Sequence, residues 1–147
     1  MISEIEPLRF PDHFPPKDFW KKFFIGVRWL GPDMSFFEDI EAQQGARDKA
    51  HLDIWGGGIR QEIAVMLSTD LRELQKWRTN VFIPQDNLDV IWNGPRFQSI
   101  DDMTFEHALK IIEKKYGIKI PRSFWTEMED ATFGEFIDKF IALGIRP

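Results

Sequence analysis

Ala131-Thr132-Phe133-Gly134-Glu135-Phe136-Ile137 is the most legible stretch of this 147-residue chain, and it reads as the start of a helix. Thr132 and Glu135 stand three apart, the spacing at which a hydroxyl and a carboxylate each accept the other's backbone N–H. Behind them Phe133, Phe136, Ile137, Phe140 and Ile141 fall on one face at the helical period, and Gly144 supplies a stop. Upstream, Tyr116-Gly117-Ile118-Lys119-Ile120-Pro121 closes another helix. That helix begins at Asp101 or Asp102, carboxylates suited to a helix N-terminus by capping and by the dipole. It places Phe105, Leu109, Ile112 and Tyr116 on one side, and a short helical turn from Ser123 to Met128 joins the two.

Farther back, Ile59, Ile63, Met66, Leu67, Leu71 and Leu74 mark an amphipathic helix from about Ile59 to Trp77. From Phe82 to Ile100 the pattern is a long irregular connection, with a turn signal at Asn93-Gly94-Pro95. Gly56-Gly57-Gly58 is the most flexible point of the chain and is taken as a domain boundary. Before it, Pro7, Pro11, Pro15 and Pro16 predict an extended start. A helix is expected from Lys17 to Leu30, and a second from Ser35, where Ser35 and Glu38 have capping-box spacing. The expected fold is therefore all-α. Residues 1–57 form an N-terminal extension with one or two helices docked on a four-helix bundle at residues 58–147.

Three of these segments, in this order and helical context, carry a resemblance. Tyr116 to Pro121 resembles the aromatic-x-Ile-x-Ile-Pro ending of the second helix in acyl carrier proteins. Ala131 to Ile137 is similar to the Thr-Val-Gly-Asp-Leu opening of their final helix. Phe82-Ile83-Pro84-Gln85-Asp86-Asn87-Leu88 resembles the loop after their first helix, so the likeness covers about residues 59–144. Carriers attach phosphopantetheine to the serine of an Asp-Ser-Leu triplet at the start of the second helix. Counting back from Pro121, that triplet falls on Asp101-Asp102-Met103, and its serine is an aspartate. A carboxylate does not replace the hydroxyl nucleophile of that attachment. Ser99 lies three residues too early and Thr104 two too late. The helix from Asp101 to Tyr116 also carries four acids against three lysines, a weak charge for steering to a basic enzyme. The resemblance is closest to short bacterial proteins with a degenerate carrier fold, and it implies no prosthetic group.

Composition narrows the function classes. A hydrophobic fraction of 43%, with 14 Phe and 6 Trp, provides for a packed core and excludes wholesale disorder. A net charge of −5 argues against a general nucleic-acid binder. With no cysteine there is no disulfide or thiolate chemistry, which suits a reducing cytoplasm. No signal peptide or membrane span is read from the sequence. The histidines His13, His51 and His107 lack a third metal ligand at a recognisable interval, so no metal is expected. Adjacent acids such as Glu38-Asp39, Asp101-Asp102 and Glu129-Asp130 diverge on a helix and read as caps and surface. The triple glycine lacks the Lys-Ser/Thr of a phosphate loop and reads as a linker.

The expected function is a non-enzymatic protein-interaction module without catalytic or cofactor-binding residues. Its candidate partner surface is Trp92, Phe97, Asp102, Met103 and Glu106, although Trp92 and Phe97 serve equally well to close the bundle. Two alternatives stand beside it. One is a divergent carrier modified at Ser99, the other a small hydrolase or transferase built on His51 or His107 and acids. The aromatics Phe14, Phe19, Trp20, Phe23, Phe24, Trp29, Phe36 and Phe37 are expected to enlarge the core or to offer a partner surface.

Overall fold

The computed structural model describes residues 5–10, 36–93, 102–128 and 130–147, without the side chains of residues 93, 102–107 and 125. The chain is all-α, with no strand among the described residues and one isolated antiparallel bridge between Asn87 and Thr132. In order come α1 (Phe36–Gly45), a 3₁₀ helix (Lys49–Trp55), α2 (Gly58–Gln75), α3 (Leu88–Asn93), α4 (Asp102–Tyr116), α5 (Phe124–Glu127) and α6 (Phe133–Ala142). The expected helix at Lys17–Leu30, the Ser35 cap, and Phe14, Phe19, Trp20, Phe23, Phe24 and Trp29 lie outside the described residues.

Helix α6 forms where its capping box predicts. The Glu135 N–H donates to Thr132 Oγ1 at 3.2 Å, and the Thr132 N–H donates to Glu135 Oε1 at 3.4 Å. The other early N–H groups of this helix find backbone acceptors. Phe133 N donates to Asp86 O at 2.7 Å and Gly134 N to Pro84 O at 2.9 Å, which locks the helix onto the 83–88 loop. Gly134 allows that approach, because a Cβ there would sit 3.0 Å from Pro84 Cβ and 3.2 Å from its carbonyl oxygen. Of the apolar face, Phe133, Phe136, Ile137 and Phe140 are completely buried and Ile141 is partly buried at its margin.

Against that face lies α2, whose buried side is Ile63, Ala64, Leu67 and Leu71, with Met66 and Leu74 at its margins. Ile59, counted as core from its spacing, is 47% exposed instead. It sits in the first turn, directly after the triple glycine, where the chain is still leaving the corner. The glycines are that corner rather than a loose tether. Gly56 ends the 3₁₀ helix at φ 84°, donating its N–H to Asp53 O at 3.0 Å, and Gly57 precedes α2 at φ 76°. Such left-handed angles admit glycine without the steric penalty that a Cβ brings. The core is continuous across the corner, since Leu8, Ile40 and Trp55 are buried in one cluster with residues of α2, α3, α4 and α6. Trp55 donates its indole N–H to Phe82 O at 2.8 Å and meets Phe133 edge-on.

The connection expected to be irregular from Phe82 to Ile100 contains α3. Asn87 caps it, accepting the Val90 N–H at its Oδ1 (3.2 Å), and Leu88, Val90, Ile91 and Trp92 are all buried. Residues 94–101 lie outside the description. Helix α4 ends at Tyr116, and Ala108 and Ile112 face the core. Its last turn is fastened to α2 through Asp70, a nearly buried carboxylate. Lys115 Nζ donates to Asp70 Oδ1 at 2.5 Å and the Tyr116 hydroxyl donates to Oδ2.

That fastening has a spectroscopic consequence. Burial, the hydrogen bond to Asp70 and the charge of Asp70 all hold the Tyr116 hydroxyl well above its ordinary range. The folded state therefore binds this proton more tightly than the unfolded chain. The stability it contributes is present below the ordinary tyrosine value near 10 and is lost as pH rises through the folded value. Tyr116 is the single tyrosine of the chain, so tyrosinate absorbance reports on it alone. Its titration is expected at higher pH in the native protein than in urea, and equal midpoints would show the Asp70 contact to be absent.

Candidate functional site

The surface proposed from sequence centres on the start of α4. Its backbone begins at Asp102, and Met103, Thr104 and Glu106 follow in the first turns. The side chains of Asp102, Met103, Glu106 and Thr104 lie outside the described residues, as do Phe97 and Ser99. Of the two readings of Trp92, the structure favours the one that closes the bundle: it is 1% exposed and meets Phe136 edge-on at 6.0 Å. The reason is α3 itself. A helix that buries Leu88 and Ile91 carries Trp92 inward with them, whereas an irregular loop would have left it at the rim.

Apart from this region the chain builds a buried polar centre that sequence reading did not identify. Arg47 and Asp86 form a two-pronged ion pair, Nη1 to Oδ2 at 2.6 Å and Nη2 to Oδ1 at 2.8 Å. Both side chains are essentially inaccessible, at 2% and 0% exposure. Asp86 also accepts the N–H groups of Leu8 and Ile83, each at 2.8 Å. Arg47 donates in addition to Val81 O at 3.2 Å and Glu6 O at 3.0 Å. A charge pair this dry is tolerated because hydrogen bonds take up the four Nη protons and the carboxylate lone pairs, although Arg47 Nε is buried without a partner among the described residues. It ties the extended residues 5–10, the end of α1 and the 81–88 loop into one unit. No sequence signal marked it, because the partners are 39 residues apart and each belongs to an otherwise ordinary polar stretch.

Two clefts open beside it. The first, about 270 Å³, is lined by Ile5, Glu6, Gln43, Ala46, Arg47 and His51. His51 Nδ1 accepts the Asp48 N–H at 3.0 Å, capping the 3₁₀ helix. The cleft thus combines an imidazole with one carboxylate, Glu6, and the described lining holds no hydroxyl, thiol or amine that would act as a nucleophile. The second cleft, about 350 Å³, is lined by Lys49, Thr69, Arg72, Arg78, Thr79 and Asn80. Sequence reading passed over these residues. The available signal was the bunching of Lys76, Arg78, Thr79 and Asn80 just beyond a helix that ends with Arg72 in its last turn.

Among the described residues no three His, Asp or Glu side chains converge as a metal site, and no helix is long and apolar enough to cross a membrane. Comparison with known protein families, with characterised protein sequences and with solved structures finds no match to this chain.

Proposed function

We propose that this chain is a carrier-like helical scaffold that bears no prosthetic group and works in the cytoplasm by binding another protein. The observation that carries the reading is the start of α4 at Asp102, the position to which the resemblance assigns the attachment serine. A carboxylate there has no alcohol oxygen to form a stable phosphodiester, so the residue does not fit phosphopantetheine. The order of elements supports the same scaffold. A long helix (α2), a connection that contains the short α3, a second long helix (α4), a short helical turn (α5) and a closing helix (α6) follow one another after the glycine corner. The start of α4, around Asp102, Met103 and Glu106, is the proposed docking face, together with Phe97 earlier in the sequence. Near-balanced charge along α4 implies a partner recognised by shape and apolar contact more than by long-range attraction.

The test is the intact mass of the purified full-length protein after incubation with coenzyme A and a broad-specificity phosphopantetheinyl transferase. The expected mass is that of the unmodified chain. An adduct mapped to Ser99 would return the chain to the working carriers. A second reading, a small hydrolase or transferase, takes its support from His51 and Glu6 in the first cleft. It requires a nucleophile brought by substrate or water.

A further inference from the structure

We propose that the second cleft binds a phosphate monoester carried by a small molecule. Its lining of Lys49, Thr69, Arg72, Arg78, Thr79 and Asn80 combines three cations, two hydroxyls and an amide, and contains no carboxylate. The cations converge from three separate elements: the start of the 3₁₀ helix, the end of α2 and the turn after it. Arg72 alone is accounted for by the carbonyl end of its own helix. Arg78 is held in part by Glu41, and only Lys49 has no such local partner among the cleft residues. In a chain of net charge −5 this is a local reversal of sign inside a concavity, the arrangement that concentrates a compact anion.

The polar rim is fixed by its own hydrogen bonds, which commit the Thr69 hydroxyl proton and leave the second Asn80 Nδ2–H for a ligand. Asn80 Nδ2 donates to Thr69 Oγ1 at 3.0 Å, and Thr69 in turn donates to Val65 O at 2.8 Å. Thr79 Oγ1 accepts the Val81 N–H at 3.1 Å, and Arg72 Nε donates to Arg78 O at 3.2 Å, which fixes the turn against the helix. Arg78 is placed by Gly45, since a Cβ there would fall 2.8 Å from Arg78 Cδ, and its Nε donates to Glu41 Oε1 at 3.1 Å. That contact occupies one of five guanidinium N–H groups and leaves the rest of the fork for a phosphate, whose geometry it matches. A volume of about 350 Å³ holds a phosphate and part of the group esterified to it. The chain's net charge of −5 disfavours an extended polyanion, so a single phosphate is the ligand proposed. The cleft does not depend on the identity of residue 102.

The experiment titrates the isotopically labelled full-length protein with glycerol 3-phosphate and inorganic phosphate, with chloride at matched ionic strength as control, following backbone amide shifts. Saturable shifts are expected at Thr69, Arg72, Thr79 and Asn80. Because one charge-assisted hydrogen bond is worth about tenfold in affinity, the Lys49→Ala and Arg72→Ala variants should each weaken binding by that order. Lys110→Ala, on the exposed side of α4, should leave it unchanged. Both test residues are exposed, and circular dichroism of each variant confirms the fold before titration. Shifts that rise linearly and equally with chloride would overturn the proposal. So would saturation that survives both substitutions, or tighter binding of a single-stranded RNA or an anionic vesicle at equal phosphate concentration.

Discussion

Replacing Asp86 with alanine is expected to lower the unfolding free energy by about 3–5 kcal/mol, a large part of the 5–15 kcal/mol typical of a domain. The substitution leaves the Arg47 guanidinium charged and dry, without the carboxylate to which both of its Nη atoms donate. It also strips the acceptor from the N–H groups of Leu8 and Ile83, both of which bond to Asp86. Guanidinium denaturation followed by tryptophan fluorescence reads the change, since Trp55, Trp77 and Trp92 are all buried. Replacing both partners together, Arg47→Met with Asp86→Leu, should cost less than Asp86→Ala alone, because no unpaired charge remains. A loss below about 1 kcal/mol for Asp86→Ala would match an exposed pair and would contradict the buried centre.

Phe136→Ala is expected to cost a similar amount, about 3–5 kcal/mol, through a different term. Phe136 is fully buried and packs against four rings: Trp92 at 6.0 Å, Phe124 at 5.9 Å, Phe133 at 5.7 Å and Phe140 at 4.7 Å between centroids. Truncation removes its own buried area and leaves a void that these rigid neighbours fill poorly. Phe136→Leu keeps most of the volume and should lose less. The denaturation midpoint of the two variants separates the cases, and an unchanged midpoint for Phe136→Ala would place this residue outside the core.

What could be read from the sequence was local. Thr132 and Glu135 are three residues apart and satisfy each other's backbone, so the beginning of α6 needed no tertiary information. The stripe of Ile63, Leu67 and Leu71 likewise announced α2. The opposite holds for α3. The six residues Leu88–Asn93, with Val90, Ile91 and Trp92 among them and Gly94-Pro95 directly after, have weak helix propensity. They become helical because Leu88, Ile91 and Trp92 can then be buried together. The triple glycine was legible as freedom but not as shape, since composition does not say whether positive φ angles serve a tether or a corner.

The candidate sites divide in the same way. Asp102 was identified by counting along a motif. The Arg47–Asp86 pair and the Lys49, Arg72 and Arg78 cleft exist only once distant segments meet, and no spacing rule announces either. A residue such as Trp92 shows the converse hazard, because its chemistry suits an interface and its neighbours draw it into the interior.

Wild-type protein and the Asp102→Ser variant, treated side by side with coenzyme A and the same transferase and weighed intact, put the central claim most directly to the test. The wild type should keep its mass and the variant should gain a phosphopantetheine adduct at residue 102. A modified wild type would contradict the claim, and an unmodified variant would show that position 102 is not the attachment vertex.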